Sequence, residues 1–210
     1  MFLRNCELKW TAVSLVVLLG LLTACTTNVV VEGSVPTPLV ARIPANVGIY
    51  YEEGFKTFMH SEVLKEEGTW NIPLGEKNLS FFRNLMTALF DSVVEVESPE
   101  LTDVQKANLD GVIIPKIEKY GFLTPNISGL KFYSASIHYR ITLMDSDNHK
   151  VAEYVVVGYG KSEGGTFSSG QALGDATMLA IRDGGTRIAV GLGEHPAIVS
   201  WLAQREGEPK

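Results

Sequence analysis

The chain has 210 residues, with 18 lysines and arginines against 24 aspartates and glutamates, for a formal net charge of −6 at pH 7. That balance argues against nucleic acid as a partner, because phosphate binding depends on clustered cations and counterion release, and it gives no electrostatic hold on an anionic membrane. The length suits one domain behind a lead segment. The only cysteines are Cys6 and Cys25, so no disulfide, cysteine-based zinc site or thiol nucleophile is expected in the body.

Arg4 and Lys9 precede an apolar run from Trp10 to Leu22, broken only by Thr11, Ser14 and Gly20. This is the layout of a cleavable export signal, and the run is short of the roughly 20 residues that span a bilayer. It closes on Leu22-Thr23-Ala24-Cys25, which resembles the lipobox of a bacterial lipoprotein precursor. The resemblance implies a signal peptide over 1–24, cleavage between Ala24 and Cys25, and acyl chains on Cys25. An ordinary secretory signal, or an uncleaved anchor that contains a cysteine, is the alternative. Acyl chains contribute about 0.8 kcal/mol per buried methylene, and two hold stably, so the lipid would supply the anchorage that charge does not. Thr26 and Thr27 follow Cys25. The absence of aspartate there resembles lipoproteins passed to the outer membrane, which implies a palmitate-bearing protein anchored there and facing the periplasm.

From 25 to 46, Gly33, Pro36, Pro38 and Pro44 punctuate Val29-Val30-Val31, a composition that suits an extended lipidated tether. A strand at 29–31 or 39–43 is the alternative. The folded domain is expected over 47–204, opening with a strand at Val47 to Glu52. A polar stretch with Phe55, Phe58 and Met59 then leads to Trp70. It reads as a long loop of the functional kind, or as a short element packed on the core. Asn78 is placed to cap a helix running to Asp91, with Leu79, Phe82, Leu85, Met86, Leu89 and Phe90 on one face.

A short strand at Val93-Val94 and a polar connection through Pro99 to Asn108 follow. The next strand, Val112 to Tyr120, contains Pro115, which favours an edge or a bulge. Strict alternation from Tyr133 to Met144, a turn at 145–148 and a return from Val151 predict a long antiparallel hairpin over 131–160. A glycine- and serine-rich segment leads to a second helix from about Ser169. Its Gly184-Gly185 pair should cost about 1 kcal/mol each relative to alanine, which points to close backbone approach, a kink or an early stop. A short helix over 196–202 carries Trp201 on its apolar side, and the tail from 205 to 210 is expected to be disordered.

The chemical-looking motifs are incomplete. Gly158-Tyr159-Gly160-Lys161-Ser162 ends like a phosphate loop, but Val155 stands where its first glycine is required. Asp145 to His149 starts like a calcium loop, yet His149 and Lys150 replace an oxygen ligand and the turn glycine. His60, His138, His149 and His195 lack metal-ligand spacing, and no Gly-x-Ser-x-Gly elbow is present. Ser169 is explained by a helix cap, and Glu52-Glu53 and Glu66-Glu67 by solvated charge. No catalytic residue, metal site or cofactor is therefore expected.

The strand "DGVIIPKIEKY", the hairpin "YSASIHYRITLMDSDNHKVAEYVVVG" and the helix "ALGDATMLAIRDGGTRIAVGL", behind a lipobox, resemble outer-membrane lipoproteins with a body like the N-terminal domain of the periplasmic TolB protein. That class includes the lipopolysaccharide-assembly, ABC-transport auxiliary and curli-secretion lipoproteins. The resemblance implies an α+β fold in the order strand, helix, strand, strand, strand, helix. Its mainly antiparallel sheet would have four to five strands with two helices on one face. It also implies an accessory or assembly protein that positions a cell-envelope complex and performs no chemistry. Phe55, Phe58, Met59, Trp70 and Trp201 are the expected partner contacts. A periplasmic hydrolase with a non-obvious site and a surface-exposed adhesin-like lipoprotein are the alternatives.

Overall fold

The computed structural model describes residues 26–34, 38–164 and 168–206. The fold is α+β, with a five-stranded sheet, a three-stranded sheet and two long helices. Its strands are β1 (Thr26–Asn28), β2 (Ile43–Ile49), β3 (Met59–Leu64), β4 (Gly68–Pro73), β5 (Phe90–Glu95), β6 (Gly111–Leu123), β7 (Phe132–Asp145) and β8 (Lys150–Glu163). The helices are α1 (Glu53–Lys56), α2 (Gly75–Leu89), α3 (Asp103–Lys106), α4 (Pro125–Ser128), α5 (Ser169–Gly191) and α6 (Pro196–Glu206).

The larger sheet has the order β5-β2-β6-β7-β8. Alternation drives its long antiparallel part. Tyr133, Ala135, Ile137, Tyr139, Ile141 and Leu143 of β7 all turn inward, and β7 pairs along its length with both β6 and β8. The β2 strand pairs parallel with β5 and with the first residues of β6, the connection that an intervening α2 permits. Pairing of β2 with β6 ends at Ile113, so Pro115 lies beyond it, and a register shift follows between Ile117 and Lys119. Pro115 thus sits where β6 has a partner on its β7 side alone, the edge-like setting that is one of the two alternatives expected of it.

Helices α2 and α5 cover one face of this sheet. Glycine makes the α5 contact possible: a Cβ on Gly160 would stand 2.0 Å from the Ala176 carbonyl oxygen, and one on Gly158 2.1 Å from that of Ala180. The Gly184-Gly185 pair serves close approach, without interrupting the helix. A Cβ on Gly184 would meet the Tyr139 ring at 2.9 Å, and one on Gly185 the Phe81 ring at 2.2 Å.

Several expectations are corrected. The segment expected as a tether over 25–46 is in large part packed, and β1 pairs parallel with β4 in a sheet ordered β1-β4-β3. Val29 and Val31 are buried, the Val29 amide donates to the Asn71 carbonyl at 2.9 Å, and Arg182 donates to the Ser34 carbonyl. The alternate valines supply the apolar face that a tether would lack. Packed chain is thus present well before 47, and the first strand of the large sheet starts at Ile43.

The stretch that reads as a long loop over 55–70 is instead the end of α1 and the β3–β4 hairpin, the short packed elements of the alternative reading. Asn78 is no cap: α2 starts at Gly75, with Leu74 at its N-cap. Asn78 is fully buried, and its Nδ2 donates to the Leu74 carbonyl at 2.8 Å. The cap of α5 is Ser168, whose hydroxyl accepts from the Gln171 amide, and not Ser169. The tail is ordered through Glu206, with Arg205 paired to Asp110 at 2.5 Å.

Candidate binding surface

The expected contact residues do not form one surface. Phe55 is buried, with its ring stacked on Tyr51 at 5.6 Å and edge-on to Phe82 at 5.3 Å. Trp70 is buried against Phe122 at 5.6 Å and Tyr133 at 6.5 Å. Trp201 is buried under the Arg205 guanidinium, 4.9 Å from its ring centroid. Phe58 is partly buried against the core, and its carbonyl accepts from the amides of Leu74 and Gly75. Of the five, only Met59 is exposed. Burial removes the ground on which Phe55, Trp70 and Trp201 were expected to meet a partner. Ala24 and Cys25 lie outside the described residues.

What remains accessible is the part of the sheet face left uncovered by α2 and α5 that lies beyond the small cluster of Val96, Leu101, Leu109 and Val112 covering its β2–β6 end. Three cross-strand rows run over it: Gly121, Ser136 and Tyr159; Lys119, His138 and Val157; Lys116, Arg140 and Val155. The middle is polar and held. Arg140 donates to Glu118 at 2.6 Å and also to Glu153. The Glu118 hydrogen bond is the main cause that keeps this guanidinium firmly charged.

The β8 border is apolar, with Val155, Val157 and Tyr159 all exposed. As the last strand in the sheet order, β8 offers an edge, and unpaired strand edges invite pairing. The Asp183 carboxylate occupies one outward amide, that of Tyr159, at 2.9 Å. A shallow groove lies alongside, between Tyr154, Val155 and Val157 of β8 and Thr186, Arg187 and Val190 of α5.

The sequence carried a signal for this border. In Val155-Val156-Val157, alternation buries only the middle residue, so the two flanking valines must face away from the helices.

The described residues include no group of three or more His, Cys, Asp or Glu that could hold a metal ion. His60 pairs with Glu62 at 3.1 Å and His149 with Asp145 at 3.4 Å. His195 stands edge-on to Tyr154 at 6.0 Å, with its Nδ1 buried and without a hydrogen-bond partner among the described residues. Glu67 accepts from the Thr124 hydroxyl at 2.6 Å, a structural tie between the β3–β4 turn and the end of β6. No described helix is long and apolar enough to cross a membrane.

No protein-family model matches the chain, and neither does any curated protein. Solved structures do share its fold. A Xanthomonas campestris protein of the family DUF330 matches with a TM-score of 0.52 at 12% identity, over 86% of this chain and 99% of that one. A Helicobacter pylori protein described as a neuraminyllactose-binding hemagglutinin homolog matches with a TM-score of 0.54 at 9% identity, over 87% of this chain and 100% of that one. At these identities the likeness is one of fold.

Proposed function

We propose that this protein is a lipid-anchored accessory lipoprotein of the bacterial outer membrane, facing the periplasm, that binds and positions a cell-envelope complex and carries no chemistry of its own. The anchor is Cys25, behind its export segment. The observation that carries the binding role is the row Val155, Val157 and Tyr159, exposed along β8 at the border of the uncovered sheet face. An extended segment of an envelope protein fits such an edge, because backbone hydrogen bonds give affinity while alternate side-chain positions give selectivity. Confinement to a membrane raises the effective concentration of both partners, so a modest interface suffices.

The test is photo-crosslinking in cells from Val157 and Tyr159, with the exposed Leu39 as the control position, beside fractionation of Cys25→Ser. The expected result is a discrete envelope-protein adduct from the two β8 positions alone, together with loss of Cys25→Ser from the membrane fraction. Adducts equal to the control would overturn the binding surface, and unchanged sedimentation would overturn the anchor. Protease sensitivity on intact cells would favour the adhesin-like alternative over a periplasmic one.

A further inference from the structure

We infer that the end of the body formed by the β3–β4 turn and the β6–β7 connection rests on the lipid bilayer, so that the strands stand up from the membrane instead of hanging on a tether. The inference rests on lipidation of Cys25, as proposed above. Thr26, the next residue, is already in β1, opposite Thr69 of β4. Consecutive Cα atoms lie about 3.8 Å apart, so acyl chains on Cys25 would emerge beside Thr69 and the turn that precedes it. No slack separates the anchor from the body. Two further contacts pin the start of the chain here: a Cβ on Gly170 at the head of α5 would lie 3.5 Å from the Thr27 side chain and 3.3 Å from the Asn28 carbonyl oxygen.

The same end carries apolar side chains that the fold does not bury. Val63, beside Thr69 in the hairpin, is 76% exposed. Leu123 at the end of β6, Ile127 in α4 and Leu130 before β7 are 46%, 52% and 51% exposed. The Thr124–Glu67 hydrogen bond joins this connection to the hairpin turn, and so brings both groups to one end of the molecule. Exposed Lys65 and Lys131 flank them, with Glu66 exposed beside Lys65 in the turn; the lysines have long stems suited to lying along an apolar boundary while the ammonium stays wet.

A bilayer is the occupant this end fits, since the acyl chains must enter one within a residue of it. The opposite end is the β7–β8 turn. With 14 residues in β7 and about 3.4 Å per residue, that turn stands roughly 45 Å from the lipid. The β8 edge runs up between the two, clear of the headgroups for a periplasmic partner.

The test uses the full lipidated protein reconstituted in vesicles of phosphatidylethanolamine and phosphatidylglycerol with brominated acyl chains. With Cys25 lipidated and Cys6 removed with the signal, the body has no free thiol. Single labels can therefore be placed by Val63→Cys, Ile127→Cys and, as the distal control, Asp147→Cys. The first two fluorophores should lose most of their emission to the brominated chains, and the third none. If the protein carries its acyl chains by mass and floats with the vesicles, yet the Val63 and Ile127 labels stay bright, the inference falls and the anchor stands. Protection of those two labels from aqueous iodide without quenching by lipid would assign this end to a protein partner and also overturn it. Equal quenching of all three would show a body lying flat. A protein without acyl chains that does not float removes the underlying reading as well.

Discussion

Tyr139 of β7 donates its hydroxyl hydrogen to Oδ1 of Asn78, one turn inside α2. Both residues are fully buried. The ring lies edge-on to Phe82 at 5.2 Å, and its far side occupies the space left by Gly184 of α5. One side chain therefore ties the sheet to both long helices. Tyr139→Phe keeps the ring and strands the Asn78 carbonyl oxygen without water, at a cost of about 1–3 kcal/mol. The double variant with Asn78→Leu should recover part of that loss, because it removes the orphaned acceptor. A denaturant series on the four proteins reads the cycle, and strictly additive losses would show that the bond contributes nothing.

The same burial predicts a loss of stability at alkaline pH. Desolvation raises the Tyr139 phenol well above its ordinary value and is also the main cause that raises Tyr51 and Tyr120. For a group whose folded pKa lies above its unfolded one, the stabilisation is complete below the unfolded pKa, about 10 for tyrosine. It is lost as pH rises from there toward the folded value. Urea midpoints should hold steady near neutrality and fall above about pH 10, with a shallower fall in Tyr139→Phe. An identical slope in that variant would assign the alkaline transition to other groups.

The helix–sheet contact predicts different outcomes for two glycines on the strands that flank β7. Gly160→Ala drives a methyl group into the backbone of α5, 2.0 Å from the Ala176 carbonyl oxygen and 2.4 Å from the Ala180 amide nitrogen. A loss of about 1–3 kcal/mol or more is expected from such overpacking. Gly121→Ala faces the open side of the sheet, where the nearest neighbour is the Ser136 hydroxyl oxygen at 3.7 Å, and should stay within about 0.5 kcal/mol of the parent. Thermal melts of the pair decide it, and equal losses would mean that the close approach is not rigid.

Periodic residues carry most of the fold. The β7–β8 hairpin follows from strict alternation, α2 from its three- and four-residue steps, and the close approach of α5 from Gly184-Gly185. Where the reading failed, a few scattered apolar residues were decided by contacts distant in sequence. Val29 and Val31 are too few to announce a packed segment; they are buried just beyond β1 because the Val29 amide reaches the Asn71 carbonyl of β4 and α5 offers a glycine at 174, where a Cβ would stand 2.2 Å from the Val30 carbonyl oxygen. Phe55 and Trp70 sit among polar neighbours that resemble a loop, yet their rings fill the core beside Phe82 and Phe122. Asn78 has the composition of a cap, and only Tyr139, 61 residues away, makes it an interior residue. The β8 border was legible as three consecutive valines, but their significance depends on which face the helices cover.

Burial of Phe55 in α1 and of Trp70 in β4 can be tested directly. Phe55→Ala and Trp70→Ala should each cost about 3–5 kcal/mol. Met59→Ala, at an exposed position, should change stability by no more than about 0.5 kcal/mol. Guanidinium unfolding followed by far-ultraviolet circular dichroism measures all three. A Trp70→Ala protein as stable as the parent would return that ring to the surface and reopen its role as a partner contact.

At acid pH the relevant pair is Arg83 and Glu95, which ties α2 to β5 through two hydrogen bonds of 2.5 and 3.0 Å. The Arg83 hydrogen bond is the largest influence on the Glu95 carboxyl and holds it below the ordinary glutamate value, against a smaller opposing effect of burial. For a depressed acid the stabilisation is present above the unfolded pKa, about 4.3, and fades as pH falls through the lower folded value. Both side chains are about half exposed, so solvent and salt screen the pair, and its contribution should lie below about 1 kcal/mol. Glu95→Gln should therefore lower the urea midpoint slightly at pH 7 in dilute buffer. The gap should close in high salt and also below about pH 4, where the parent carboxylate takes up its proton. A gap that persisted at low pH would locate the loss in packing between α2 and β5 instead of in the charge.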